Sequence, residues 1–204
     1  MGDYMKPKIY LAGPIFGATG AEANDWRRDM IARLAPHGII GISPLRCEPM
    51  VGTRYDLHYA DPCFGTPAAI LGKNFLDLRA CDLTLAYLPS PPEVAELGAI
   101  ADRMGSLSGV VSSIVGPVDS EETEAIAADA ESLKRIVRKG VQRSVGTIGE
   151  ISWCYALQKP LAIVSDDPLV RHHPFFTEQA NWKLSTLDEA ERLIVGLFAD
   201  YARS

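Results

Sequence analysis

Apolar positions along the chain switch between two spacings. Lys8–Ala12 (KIYLA) is a short, apolar, β-rich run that ends on Gly13-Pro14, which predicts a buried first strand opening into a loop. From Ala21 to Leu34 the spacing becomes helical. Trp26, Met30, Ile31 and Leu34 share one face, and Pro36 with Gly38 stops the helix. Ile39–Ile42 predicts a second strand. Thr66-Pro67 reads as an N-cap followed by proline at the first helical position, with the helix running to about Ala80. Leu83–Leu88 (LTLAYL) predicts a third strand, and Leu161–Val164 (LAIV) another after a helix that begins near Thr147. Trp182–Ser185 predicts a last short strand. Ser185, Thr186, Asp188 and Glu189 form the cap signature of a final helix, about Leu187–Tyr201. Strands alternating with helices predict the α/β class, a parallel sheet covered on both faces. In such sheets ligands gather at the carboxyl ends of strands, where strand order reverses. The loops after Ala12, Ile42 and Leu88, and the one before the Thr147 helix, are therefore the places for a site.

Two stretches break the rhythm. Residues 43 to 66 are rich in Pro, Gly and Tyr without a period, and a loop this long in a compact domain is more often functional than idle. Residues 89–143 open with PSPPE and carry two helical patterns, about Glu93–Met104 and Glu121–Lys139. A Gly/Ser/Val segment joins them, with room for a short strand at Gly109–Val115. This predicts an inserted helical hairpin. Its acidic first half and its basic Lys134-Arg135-Arg138-Lys139 end suit a solvated face, with a partner surface or a lid as the sharper alternative. The expectation is one domain, 1–204, carrying this insertion.

Composition narrows the class of function. The 204 residues are 47% apolar and 23% charged, enough for a packed core. Twenty Lys and Arg against 26 Asp and Glu leave a net charge of −6, which disfavours nucleic acid as a partner and favours a small molecule. No apolar run of about 18 residues is present to span a membrane, and MGDYMKPK lacks the apolar stretch of a signal peptide. Met-Gly hints at myristoylation, but Lys6 stands where Ser or Thr is wanted. Cys47, Cys63, Cys81 and Cys154 are scattered with no CxxC, as reduced thiols of a cytoplasmic protein would be.

Four groupings could carry chemistry. In Val145–Glu150 (VGTIGE), Gly146 and Thr147 precede the expected helix, so their N–H groups could face an anion or a hydroxyl-rich ligand. Thr-x-x-Glu is equally a capping box, with Glu150 bonding the Thr147 N–H. In Asn74–Asp82 (NFLDLRACD), Asn74 and Asp77 lie within one helical turn, and Asp82 falls at the helix-to-strand junction. Surface charge and a turn residue are the plainer readings of the two acids. Tyr10 with Gly13-Pro14-Ile15-Phe16-Gly17 is a Gly-rich opening, but it matches neither GxGxxG nor a Walker motif. Asp56-x-His58-x-x-Asp61 has the residue types of a metal site, but an isolated set of this kind is usually incidental, and His172-His173 reads as a polar loop pair. No GxSxG and no local catalytic cysteine signature occurs.

Taken together the pieces resemble the nucleoside 2-deoxyribosyltransferase family, with the related deoxynucleoside 5′-monophosphate N-glycosidases. KIYLAGPIFG followed by EANDWRRDM resembles the family's opening, and Pro44 with Arg46 its proline-arginine element after strand two. ACDLTLAYL resembles its Asp-then-apolar-strand element. SVGTIGEISWCYALQKPLAIV resembles its most specific motif, Ser-x-Gly-Thr-x-x-Glu, a helix with Ala, then Lys-Pro and a strand. HHPFF and LDEAERLIVGLF have the look of its tail. The match covers residues 8 to 88 and 144 to about 200 and leaves the insertion outside.

The resemblance implies a flavodoxin-like, doubly wound, five-stranded sheet of order 2-1-3-4-5. It also implies that Glu150 is a nucleophile on the anomeric carbon of a deoxyribosyl group and that Tyr10 orients it. A carboxylate there suits an oxocarbenium-like transition state and a covalent glycosyl-enzyme. Gly13, Pro14, Ile15, Phe16, Arg46, Asp82, Ser144, Gly146 and Thr147 are the implied substrate-binding positions. Two departures stand out. Asn74 occupies the place where the family usually has an Asp that handles the leaving base, and Asn cannot deliver a proton. Asp77 would then take the acid role, or the base would leave with less help, or the protein has changed task. Ser144 stands where nucleoside-using members tend to carry Asp, which tilts the substrate toward a 5′-phosphate. Glu96, in AELGAIA, is the competing nucleophile. The implied reaction cleaves the N-glycosidic bond of a 2′-deoxyribonucleoside or its 5′-monophosphate and transfers the sugar to another base. Hydrolysis is the alternative, and a nucleotide- or partner-binding module the alternative of another class. This chemistry needs no metal and no organic cofactor. Family members assemble as homo-oligomers, for which His173–Phe176 and the insertion are the expected contacts.

Overall fold

The computed structural model describes residues 6–15, 18–47, 50–52, 58–59, 61–90 and 145–198. Phe16, Ser144, Asp56, Glu96 and the predicted hairpin fall outside these residues, as does the stretch of the final helix beyond Phe198. Chain contacts separate two units, 1–89 with 143–204, and 90–142. The first unit contains the sheet.

Five strands form it, all parallel: β1 (Lys8–Ala12), β2 (Ile40–Ile42), β5 (Leu83–Tyr87), β6 (Leu161–Val164) and β7 (Trp182–Leu184). Their order across the sheet is β2-β1-β5-β6-β7, so strand order reverses beside β1. This is the order 2-1-3-4-5 expected from the resemblance. Tyr10 pairs with Ile42 on one side and Thr84 on the other, which places it in a central strand.

Period-two alternation divides the core. Ile9 and Leu11 pack with Met30 and Leu34 of α1 (Gly20–Leu34) and with Ala190 and Ile194 of a C-terminal helix, Leu187–Phe198. Tyr10 and Ala12 face the other way. They pack with Leu78 of α3 (Pro67–Ala80) and with Ile151 and Cys154 of α4 (Val145–Ala156). The sheet is therefore covered on both faces, and Tyr10 is turned toward α3 and α4.

The caps explain the helix starts. Thr19 and Glu22 form a capping box, which starts α1 at Gly20, one residue before the apolar period begins. Thr66 Oγ1 accepts the Ala69 N–H and Pro67 takes the first turn of α3. Thr186 and Glu189 cap the last helix.

Several expectations need correction. The 43–66 stretch is not a bare loop. It holds a two-residue antiparallel pair, β3 (Met50–Val51) and β4 (His58–Tyr59), and a one-turn helix, α2 (Pro62–Gly65), capped by Asp61. Elements this short have no period to read. His172-His173 is not a loop pair either. His172 ends α5 (Pro168–His172), and the His173 ring caps α6 (Pro174–Gln179) by accepting the Phe175 N–H. The helix expected near Thr147 starts at Val145. No helix among the described residues is long and apolar enough to cross a membrane. The C-terminal helix Leu187–Phe198 is α7.

Candidate active site

The buried stripe of α4 is Thr147, Glu150, Ile151 and Cys154, residues spaced as one helical face. Glu150 thus occupies a core position. Tyr10, fully buried on β1, meets it there: the phenol Oη donates to Glu150 Oε1 at 2.6 Å. Asn74 Nδ2 on α3 donates to the same oxygen at 3.2 Å. Both donors are spent on Oε1, and Oε2 accepts no hydrogen bond from a described side chain. Glu150 keeps 6% of its surface exposed. The capping-box alternative is thereby displaced: Glu150 lies in the second turn of α4, and its carboxylate bonds β1 and α3 rather than the Thr147 N–H.

Burial governs the electrostatics. Desolvation pushes the Glu150 carboxyl up to about 7, against the hydrogen bond from Tyr10, the charges of Arg27 and Lys73, and the bond from Asn74, which favour its ionised form. The Tyr10 phenol is held well above its ordinary range by its own burial and by the Glu150 charge and hydrogen bond. It therefore stays a donor at neutral pH. The amide oxygen of Asn74, Oδ1, is buried with no hydrogen-bond partner among the described residues.

Around this pair the other expected positions divide. Gly13, Pro14 and Ile15 leave the carboxyl end of β1. Gly13 must be glycine: a Cβ there would meet Trp26 Cζ2 at 2.7 Å and the Tyr87 carbonyl at 3.1 Å. Gly146 and Thr147 lie in the first turn of α4, not ahead of it, and their N–H groups belong to the set a helix leaves without internal partners. Arg46 and Asp77 form a fork-to-fork ion pair, and Lys73 reaches both Asp77 Oδ2 at 3.3 Å and the Pro44 carbonyl at 2.7 Å. The bond to Asp77 holds the Arg46 guanidinium above its usual range. Tyr59 Oη also donates to the Pro44 carbonyl, at 2.8 Å. The Pro44–Arg46 turn is thus tied to α3 and β4. Both Asp77 carboxylate oxygens are thus engaged by cations that hold the Pro44–Arg46 turn.

Asp82 is a correction. It precedes β5, and its Oδ2 accepts the Lys8 N–H at 2.8 Å while its own N–H bonds the Lys8 carbonyl. That joins the amino ends of β1 and β5, the opposite end of the sheet from Gly13.

Two participants escaped the sequence reading, Arg27 and Lys73. Arg27 shares the buried stripe Ala23, Arg27, Met30, Leu34 of α1. A cation at a stripe position is the available signal, but in WRRD it reads as solvated charge. Cys81 and Cys154 are buried thiols pushed up to about 12 and about 11 by that burial, too high for nucleophiles. Among the described residues no cluster of His, Cys, Asp and Glu is arranged to hold a metal ion.

No family model matches the chain, and no curated protein matches it in sequence. Solved structures do. The chain is similar to a 2-deoxyribosyltransferase from Bacillus psychrosaccharolyticus at 14% identity, over 90% of each chain, with a TM-score of 0.50. It is also similar to a 2-deoxyribosyltransferase from Leishmania mexicana (18% identity, 79% of this chain and 65% of that one, TM-score 0.39). A third is a CMP N-glycosidase from Clostridium botulinum (15% identity, 92% and 96%, TM-score 0.41). The first of these likenesses shows a shared fold.

Proposed function

We propose that the protein cleaves the N-glycosidic bond of a 2′-deoxyribonucleoside or its 5′-monophosphate through a covalent glutamyl-deoxyribose, and passes the sugar to another base. One observation carries the reading: a buried carboxylate facing the middle of β1, with one oxygen held by Tyr10 and Asn74 and the other accepting no hydrogen bond among the described residues. The motif resemblance to deoxyribosyltransferases and the fold shared with one of them support it.

The chemistry follows from the atoms. Glu150 Oε2 forms a bond to C1′ as the C1′–N bond breaks, and the bond pair leaves with the base. Tyr10 keeps the carboxylate oriented and shares its charge as the oxocarbenium character grows. Asn74 has no proton to give, so the departing base takes its proton from solvent or leaves as a base stable enough without one. An acceptor base then bonds C1′ through nitrogen, Glu150 is expelled as carboxylate, and the acceptor's N–H proton goes to solvent. The backbone N–H groups of Gly13 and Ile15 and of the first turn of α4, with Arg46, belong to the sugar and 5′ end in this reading. So does Ser144. A homo-oligomer completes it.

The test is incubation with 2′-deoxyribonucleosides and their 5′-monophosphates, with and without a second free base. Exchanged nucleoside establishes transfer. Free base with deoxyribose or its phosphate means hydrolysis. Binding without turnover means a binding module and overturns the proposal. Glu150→Ala is expected to abolish turnover, and surviving activity would move the nucleophile to Glu96.

A further inference from the structure

A cavity of about 150 Å³ opens between the sheet and the short helices α5 and α6. Its floor is apolar. Ile163 of β6, Val170 of α5 and Phe176 of α6 line it, and all three belong to the cluster that contains Tyr10 and Ile151. Its rim is cationic. Arg171 and His172 come from the end of α5, and Lys183 comes from β7. Lys183 is in register with Ile163, so its side chain leaves the sheet beside the floor and on the same side. None of the described residues that line the cavity is acidic. The side chains of Arg171, His172 and Lys183 form no ion pair among the described residues. The chain as a whole carries −6, so this is a positive concavity on a negative molecule. The end of a helix favours basic residues, which accounts for Arg171 and His172 taken alone. It does not account for Lys183, which arrives from a separate element. Like charges gathered without a counter-charge repel one another, and a bound anion relieves that repulsion.

We propose that this cavity binds a small phosphate monoester: Arg171, His172 and Lys183 take the phosphate at the rim, and one small ring sits on Ile163, Val170 and Phe176. A guanidinium fork, an ammonium and an imidazole converging from two elements suit an anion with oxygens spread around one centre, which a phosphate has and a planar carboxylate lacks. The volume sets the size of the body. About 150 Å³ is what one benzene ring fills, and it is below the roughly 300 Å³ at which pockets for larger ligands begin, so a whole nucleotide does not fit. The wall is fixed before any ligand arrives. Ser165, just past the end of β6, donates its Oγ–H to the Leu88 carbonyl at 2.6 Å and accepts the Asp167 N–H at 3.1 Å. That hydroxyl is spent on structure, which leaves the three basic side chains to hold the anion. The cavity is separate from Glu150. Strands β1 and β7 stand three places apart in the sheet, roughly 14 Å, and neither Tyr10 nor Asn74, the residues bonded to Glu150, lines the cavity. The inference does not depend on Glu150 being a nucleophile.

The test titrates the full chain with phenyl phosphate at fixed pH and physiological salt, and follows the histidine ring signals by NMR. The His172 signal is assigned with His172→Gln. Phenyl phosphate is expected to move it along a saturable curve and to leave His37, which precedes β2, unmoved. Arg171→Met and Lys183→Met are each expected to weaken binding roughly tenfold, the loss of one charge-assisted contact. Lys183→Arg is expected to keep it. Arg171 and Lys183 are exposed, so these variants retain the fold, and an unchanged His37 signal checks that. Inorganic phosphate, which lacks the ring, and phenol, which lacks the charge, are each expected to bind at least about tenfold more weakly. No saturable shift at His172, or binding unchanged in both Arg171→Met and Lys183→Met, overturns the proposal. Inorganic phosphate binding as tightly as phenyl phosphate overturns the seat for a ring, and phenol doing so overturns the seat for an anion. Binding at His172 in a protein without N-glycosidic turnover would leave this site standing and remove the proposed function. Turnover with no binding at His172 would do the reverse.

Discussion

Glu150 is an acid in a place built for an apolar side chain, and its chemistry follows from that. In the proposed reaction the ionised form is the nucleophile, so turnover is expected to rise with pH through about 7 as the carboxyl loses its proton. A rate profile that stays flat across this range would contradict it. Tyr10→Phe removes the phenol donor and keeps the ring. Without that bond the ionised form loses support, so the limb should move to higher pH and turnover should fall by roughly 10–100-fold, in the range of a lost oriented donor. The far-UV dichroism should stay unchanged. Asn74 separates two ideas about the departing base. Asn74→Asp would restore a proton donor at this position but place a second carboxyl against Glu150, and the pair would titrate as a coupled unit.

Elements decide which residues meet. α3 contributes Lys73, Asn74 and Asp77 from neighbouring positions, yet they divide their tasks: Asn74 turns to Glu150, while Lys73 and Asp77 hold the Pro44–Arg46 turn. Asp77→Asn is therefore expected to cost stability, about 1 kcal/mol because Arg46 is 40% exposed, read by urea denaturation. The shape of the pH–rate profile should be kept; disappearance of an alkaline limb would make Asp77 the acid after all. At the β1–α1 junction the prediction is steric. Gly13→Ala forces a methyl against Trp26 and the Tyr87 carbonyl, at a cost of roughly 1–3 kcal/mol. Gly72→Ala on α3 meets nothing within 4 Å and should stabilise the helix by up to about 1 kcal/mol. Equal effects of the two changes in denaturation would refute the close approach.

For the whole molecule, the site is in tension with stability. The Glu150 carboxyl is raised from an ordinary 4.5 to about 7 in the folded chain. The folded state therefore holds a proton that the unfolded state has already released between those values. Its contribution is fully present below about 4.5 and is lost as pH rises through about 7. The loss is at most about 3 kcal/mol by pH ~8. Thermal denaturation of Glu150→Gln should show a flatter fall in Tm between about pH 5 and pH 8 than wild type, with the variant the more stable at the upper end. A parallel fall in both proteins would mean that other groups carry the pH dependence.

The sheet strands, α1, α3 and the final helix were readable because each repeats its signal: an unbroken apolar run after Lys8 in KIYLA, a helical stripe from Trp26 to Leu34, and cap residues at Thr66 and Thr186. Elements as short as β3, β4, α2, α5 and α6 carry too few positions to show a period, and they went unread. Tyr10 and Glu150 could be named from the sequence as a motif pair, and Asn74 as a departure within it. Whether Glu150 capped its own helix or faced Tyr10 was a choice between a bond within one turn and one spanning 140 residues, and local spacing cannot decide between them. The sequence by itself determined the alternation of strands and helices, because local periodicity and caps encode it. Only the tertiary structure decided that Asp82 ties strand starts, that Asp77 is claimed by Arg46, and that Arg27 lies buried on the carbonyls of Leu11 and Gly13. Partners so far apart in the chain are selected by the packing of whole elements, and no local pattern records that choice.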